Sequence, residues 1–128
     1  DDIVQAVMEG FAFTLMDADA ALAKAGVRPV SLAAVGGGAR SRLWIEMLAS
    51  ALDRPITLYA GAALGPANGA TRLARIARTG ASVSDICTKP PVADVIAPSP
   101  RRRDALNARY PEFRGLYRAL KASFAARR

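Results

Sequence analysis

The stretch that most constrains the fold is residues 30–44, a short apolar run that ends in three consecutive glycines and leads into a helical pattern. Residues 30–35 predict a buried strand, because β-branched and small apolar residues stand between a proline and the first glycine. The glycines at 36–38 permit positive φ and carry no Cβ that would keep a ligand away. Ser41 is a candidate N-cap for a helix at Arg42–Leu52. The stretch therefore predicts either a phosphate- or nucleotide-binding turn or a plain strand-to-helix connection.

Two standard glycine motifs do not fit this turn. A dinucleotide fingerprint that begins at Gly36 requires a third glycine where Ser41 stands. The acidic residue that this fingerprint expects after the next strand is also missing, because Asp53 precedes that strand. A Walker A loop needs a Gly-Lys-Ser/Thr sequence, and no lysine follows these glycines. The glycines belong to another nucleotide-binding arrangement or to none.

Periodicity and turn residues predict the remaining elements. They are an opening helix from Ile3, a strand at Ile56–Tyr59, a helix that begins at Gly65-Pro66 and ends at Gly80, a short helix at residues 83–87, an edge strand or extended tie at Val92–Ile96, and a docked C-terminal helix at residues 111–126. The opening helix is expected to bury a stripe of Ile3, Val7, Phe11, Leu15, Ala18 and Leu22. The Arg42–Leu52 helix is expected to bury Trp44, Met47, Leu48 and Ala51, with Trp44 in the core and not stacked on a base.

Composition narrows the function classes. No apolar run approaches a membrane span, and nothing at the N-terminus is typical of a signal peptide. A single cysteine excludes an intramolecular disulfide and suits a reducing, cytoplasmic setting, and the lack of histidine argues against a zinc site. The net charge of +7 permits acidic partners such as nucleotides. Nucleic-acid binding is not expected, because no aromatics alternate with the basic runs at 101–103 and 127–128, the first of which is predicted to lie in a loop.

Three segments resemble the FGGY family of carbohydrate kinases, most like its xylulokinases. The adenosine-motif region is matched by Gly-Gly-Gly-Ala-Arg-Ser-Arg-Leu-Trp at residues 36–44, Leu-Ala at 48–49 and Leu-Asp-Arg-Pro at 52–55. Residues 7–13 resemble the helix before that region, and residues 62–70 resemble the glycine-containing helix after it. The three segments stand in the family's order and spacing, and the resemblance runs from about Ile3 to about Leu116.

The resemblance implies an α/β fold, part of an actin-like or ribonuclease-H-like ATPase domain with a short, mostly parallel sheet flanked by helices. Residues 1–128 would be a partial C-terminal nucleotide-binding domain, with the sugar-binding domain in an N-terminal part outside this sequence. The chain opens directly within a helical pattern, so we expect it to be a C-terminal piece of a longer protein. The first two predicted strands would be parallel, joined by the Arg42–Leu52 helix.

The resemblance further implies transfer of the γ-phosphoryl group of ATP to a hydroxyl of a sugar such as D-xylulose, with Mg²⁺ offsetting phosphate charge. The base and the sugar-binding residues would precede the present sequence, so no residue here is assigned a catalytic or metal-binding role. Gly37, Gly38 and Ala39 would lie against the ribose and adenine of ATP or ADP. Arg42 would reach the base, where the family often has asparagine. Ser41 would bond the nucleotide or only cap the helix.

The alternative is a stand-alone α/β nucleotide-binding or structural and interaction module without catalysis. Either way, the isolated chain is expected to have no kinase activity. Two parallel strands would leave an exposed sheet edge and apolar surface, so self-association of the chain is expected. Membrane binding is not expected.

Overall fold

The computed structural model describes residues 2–125, in which helices flank one small sheet. In chain order the elements are α1 (Asp2–Lys24), β1 (Leu32–Ala34), α2 (Arg42–Leu52), β2 (Ile56–Tyr59), α3 (Pro66–Thr79), α4 (Val83–Ile86), β3 (Val92–Ile96) and α5 (Pro100–Ala125). The predicted helix end at Ala126 and the basic pair at 127–128 lie outside the described residues. None of the helices in residues 2–125 has the length and apolar character needed to cross a membrane.

The sheet has the order β1-β2-β3. β1 and β2 are parallel, as predicted, with Leu32 opposite Ile56. β3 adds an antiparallel edge strand, which settles the choice between strand and extended tie, with Ile96 also opposite Ile56. The first strand is shorter than the predicted 30–35, since only Leu32–Ala34 pairs with β2 and the flanking Val30 and Val35 are exposed.

Helix α2 lies between two apolar clusters. Ile45 and Ala49 pack on the sheet, where they meet Ile56 and Ile96. The opposite side of α2 forms a second cluster with α1 and α5, made of Ala12, Phe13, Met47, Ala51 and Leu106. Met47 and Ala51 are buried as predicted, whereas Trp44 and Leu48 are half-buried between the clusters. The predicted face was incomplete because it assumed one partner surface, and α2 has two.

The predicted buried stripe of α1 is wrong. Ile3, Val7, Phe11, Ala18 and Leu22 are exposed and Leu15 is half-buried. The buried face is formed by Ala12 and Phe13, with Met8 and Met16 beside them. Helix α1 carries two apolar faces, and the ring of Phe13 selects one by packing against aromatic rings of α5, at centroid distances of 6.0 Å to Tyr110 and 5.2 Å to Phe113.

Helix α5 begins at Pro100, eleven residues before the predicted start at 111. Proline at the first helical position costs no hydrogen bond, and the helix continues through Pro111. The arginines at 101–103 therefore lie in the first turn of a helix and not in a loop. Only the part of α5 up to Phe113 packs on the core, and the predicted docking of the later apolar residues is not observed: Leu116, Tyr117, Leu120 and Phe124 are exposed.

Ser50 ties α2 to the start of α5. Its side chain is fully buried, its hydroxyl donates to the Glu46 carbonyl at 2.6 Å, and its Oγ accepts a hydrogen bond from the backbone N–H of Ser99 at 3.0 Å. We expect Ser50→Ala to lower the free energy of unfolding by about 1–3 kcal/mol, because the Ser99 N–H loses its partner. Urea denaturation measures this. The exposed Ser123→Ala on α5 is the control, and an equal effect of both changes would contradict the role of Ser50.

Candidate functional site

Two glycine-containing turns meet at one edge of the sheet. β1 is followed by the turn at residues 36–40, and β2 by the turn at residues 61–65. Because β1 and β2 are parallel, both turns lie at the carboxyl ends of the strands, where open α/β sheets bind ligands. The backbone N–H of Gly36 donates to the carbonyl of Ala62 at 2.7 Å. A Cβ on Gly65 would come within 3.3 Å of the Gly36 Cα, so the two turns pack backbone against backbone.

The fold requires glycine at two of the three consecutive positions, Gly36 and Gly38, but not at Gly37. Gly36 has φ +93°, which L side chains rarely adopt. At Gly38 a Cβ would lie 3.2 and 3.3 Å from ring atoms of Trp44, so the indole already restricts this position without any ligand. Gly37 has no such restriction, because a Cβ there would meet nothing within 4 Å and its φ is not in the left-handed region. Gly37 is therefore the glycine whose bare backbone is open to a ligand.

Ser41 is the N-cap of α2. Its Oγ accepts a hydrogen bond from the backbone N–H of Trp44 at 3.3 Å, and its own N–H donates to the Gly38 carbonyl at 3.1 Å. The prediction that it caps the helix is confirmed. The cap and the glycine turn are thus one continuous hydrogen-bonded unit, which directs the N-terminus of α2 toward the carboxyl edge of the sheet.

Arg42, the first residue of α2, is paired with Asp94 of β3. Its Nη1 lies 3.1 Å from Asp94 Oδ2, and both side chains are well exposed, by 75% and 47%. Exposed pairs of this kind contribute about 0–1 kcal/mol, so the guanidinium can exchange this carboxylate for another partner at little cost. Asp94 also accepts a hydrogen bond from the backbone N–H of Val95 at 2.8 Å, which fixes the carboxylate in place.

Gly38 and Ala39 also line an apolar groove of about 360 Å³ beside β1. Phe11 and Trp44 line it as well, with ring centroids 5.3 Å apart. Trp44 packs against both apolar clusters, although it is half-buried and not fully in the core as predicted. Of the predicted site residues, Gly38 and Ala39 line this groove, and Gly37 and Arg42 are not among its lining residues.

Several residues near the turns were not predicted as site residues. Asp94 is 52 residues from Arg42 in sequence, and only the pairing of Leu58 with Asp94 in the sheet brings it close. Beside the second turn, the side-chain amide of Asn68 in α3 lies 3.7 Å from the position of a Cβ on Gly61. The signal for this turn was present in the sequence, where glycines recur at 61, 65 and 69.

The described residues do not fit a bound Mg²⁺ by themselves. Within residues 2–125 there is no group of three or more His, Cys, Asp or Glu side chains that could hold a metal ion. Asp94, which lies close to the glycine turn, is already engaged with Arg42. An ion that accompanies a nucleotide here would take its ligands from the phosphates and from groups outside these residues.

Comparisons with known proteins give the family and the fold class of this chain. Residues 1–78 match the FGGY family of carbohydrate kinases, C-terminal domain. The chain is 34% identical over 121 residues to the xylulose kinase of Escherichia coli K12, an alignment that covers 94% of this chain and 25% of that protein. A solved xylulose kinase from Brucella ovis has 44% identity and a TM-score of 0.73 over 94% of this chain and 25% of its own. A solved gluconate kinase from Lactobacillus acidophilus has 28% identity and a TM-score of 0.72 over 98% of this chain and 26% of its own.

The fold is part of an α/β domain of the actin-like ATPase class, as predicted, and the solved structures confirm it. More narrowly, this chain belongs to the FGGY family of carbohydrate kinases, in whose C-terminal domain it lies. It spans about a quarter of the length of the relatives that it matches.

The different reasons for Gly37 and Gly38 can be separated by stability measurements. We expect Gly38→Val to lower the free energy of unfolding by about 1–3 kcal/mol, because the added methyls press on the Trp44 ring. Gly37→Val should have an effect within about 0.5 kcal/mol, as is usual for open surface positions. Urea denaturation followed by the fluorescence of Trp44, the only tryptophan, reports both. Equal destabilisation by the two variants would contradict the assignment.

Proposed function

We propose that this chain forms one wall of the nucleotide site of an ATP-dependent sugar kinase, in which the γ-phosphoryl group of ATP passes to a sugar hydroxyl. Family membership supports the reaction class. The proposed position of the nucleotide site is supported by one observation: two glycine turns meet at the carboxyl ends of parallel strands, and the space next to Gly37 is open. Bare backbone at such an edge lets a nucleotide approach closely.

The proposed role of each residue depends on the hydrogen bonds and ion pairs that it already makes. The backbone of Gly37, Gly38 and Ala39 lies against the adenosine part of ATP or ADP. Arg42 leaves the exposed carboxylate of Asp94 and stacks on the base or hydrogen-bonds it, which a guanidinium does only as a donor. Ser41 is occupied as the helix cap, and we assign it no direct bond to the nucleotide.

The sugar is proposed to be D-xylulose, by similarity to the relatives described as xylulose kinases. A gluconate kinase has a similar fold over these residues, which supports our proposal that the sugar is selected elsewhere in the complete protein. We place the catalytic base and the sugar-binding residues in an N-terminal domain outside this chain, and Mg²⁺ on the nucleotide phosphates. The isolated chain is therefore expected to phosphorylate no sugar, and the complete enzyme is proposed to be cytoplasmic.

Nucleotide binding tests the proposed wall. We expect Gly37→Val to weaken ADP binding by about tenfold or more in calorimetry, because its methyls occupy the space that the adenosine requires. Gly115→Val, at another glycine with open surroundings, is the matched control and should bind as the unaltered chain does. The comparison is made in the complete protein that contains this chain. Unchanged ADP affinity in Gly37→Val would place the nucleotide elsewhere and favour a structural role for the turn.

We also propose that the isolated chain self-associates through α1 and the outer edge of β1. Ile3, Val7 and Phe11 are 82%, 69% and 53% exposed and follow one side of α1. In the described residues β1 pairs with β2 alone, so its other edge keeps unpaired backbone groups. An exposed apolar stripe beside an unpaired strand edge favours association with a second copy.

Replacement of this apolar stripe by charge tests self-association. We expect the chain to form dimers or larger species at tens of micromolar in light scattering. The double variant Ile3→Lys and Val7→Lys should shift it toward monomer, because two apolar contacts become like charges. Thr14→Lys adds a charge at an exposed polar position of the same helix and should change little. A monomer peak for the unaltered chain would refute the proposal.

A further inference from the structure

A second cleft lies in the helical layer, between α1, α2 and α5. It has a volume of about 350 Å³ and is formed by the first half of α1, Met47 of α2 and the first three turns of α5. None of the described residues that line this cleft belongs to the two glycine turns, so the cleft is distinct from the proposed nucleotide wall.

The cleft is lined by more positive than negative charge. Arg101, Arg102 and Arg109 lie on its α5 side, and Glu9 is the one carboxylate among its lining residues. Three cations against one anion leave an excess of two positive charges. Arg109 is paired with Glu9, whereas within residues 2–125 neither Arg101 nor Arg102 has a carboxylate within 4 Å.

Glu9 stays ionised inside this group and so fixes the charge balance. Burial alone would raise the pKa of Glu9. Hydrogen bonds from Gln5 and Arg109 and the charge of Arg102 outweigh that effect, and the pKa of Glu9 lies below its ordinary value. Glu9 thus holds Arg109 in position and cannot neutralise the other two arginines.

One donor in the cleft has no partner. The Nε of Arg102 is buried, and no hydrogen-bond acceptor reaches it among the described residues. Leaving a buried donor unsatisfied is costly, more so when it belongs to a charged group, and such an atom in a native fold calls for an explanation. An oxyanion in the cleft would pair with the Arg102 guanidinium as a whole, because guanidinium groups bind phosphate oxygens in a matching planar geometry.

We propose that this cleft binds a phosphate group, either as inorganic phosphate or as the monoester of a small metabolite. The excess of two positive charges matches a phosphate dianion, and Arg101 and Arg102, which line the cleft, have no carboxylate partner among residues 2–125. The first turn of α5 adds the positive end of a 26-residue helix to the same cleft. The site is separate from the glycine turns and does not depend on nucleotide binding.

Calorimetric titration of the complete protein with inorganic phosphate, and separately with glycerol phosphate, tests this site. We expect Arg102→Gln to weaken binding roughly tenfold, because one charge-assisted hydrogen bond is lost. Arg101→Gln, at an exposed position that leaves the core intact, should also weaken binding. Arg118→Gln removes the same charge from α5 outside the cleft and is the matched control. Stronger binding of glycerol phosphate than of inorganic phosphate would identify a monoester as the ligand.

Three outcomes of these titrations would contradict the proposed phosphate site. Absence of phosphate binding in the unaltered protein would overturn the proposal. Equal weakening by Arg118→Gln would show that only the overall charge matters. Loss of phosphate binding in Gly37→Val, with Arg102→Gln unaffected, would assign the anion to the glycine turns instead.

Discussion

The burial of α2 on two sides is the constraint on which the rest of this structure depends. Ile45 and Ala49 face the sheet, while Met47 and Ala51 face α1 and α5. A helix covered on both sides needs small residues where its neighbours come close, and Ala49, Ser50 and Ala51 supply them consecutively. This double contact fixes the distance between the sheet and the helical layer, and with it the direction in which the N-terminus of α2 points.

The packing of α2 also determines the conformation of the glycine turn. Trp44 contacts both apolar clusters, and its ring occupies the space where a side chain at Gly38 would lie. The turn is therefore fixed by two contacts. Trp44 of the core packs against Gly38, and the N–H of Gly36 donates a hydrogen bond to the carbonyl of Ala62 in the second turn. What remains free is the outer surface at Gly37. A run of glycines is therefore evidence for a ligand only at positions, such as Gly37, where the fold itself does not require glycine.

Local chemistry made much of the fold predictable from sequence. Ser41 caps α2, Pro66 begins α3 and Gly80, with φ +66°, ends it, all at the predicted positions. The buried faces were harder, because α1 has two apolar sides and the choice depends on aromatic rings of α5 almost one hundred residues away. The start of α5 was predicted wrongly for a related reason. Proline favours the first turn of a helix, but Pro111 lies within a longer helix, and the contact of Ser50 with Ser99 positions the true N-terminus of that helix. The position of Asp94 beside Arg42 could not be predicted, because it depends on the register in which β3 pairs with β2.

The geometry also explains why the proposed site is a wall and not an enclosed pocket. Small-molecule sites bury most of their ligand's surface between facing elements. Here the two turns pack on each other and present backbone in one direction, with exposed Arg42 and Asp94 at the rim. A nucleotide resting on Gly37 would keep its other face in water until further protein closed over it. If adenosine binds here as proposed, contacts from this chain alone would provide orientation more than affinity, as expected for a binding surface that another part of the protein completes.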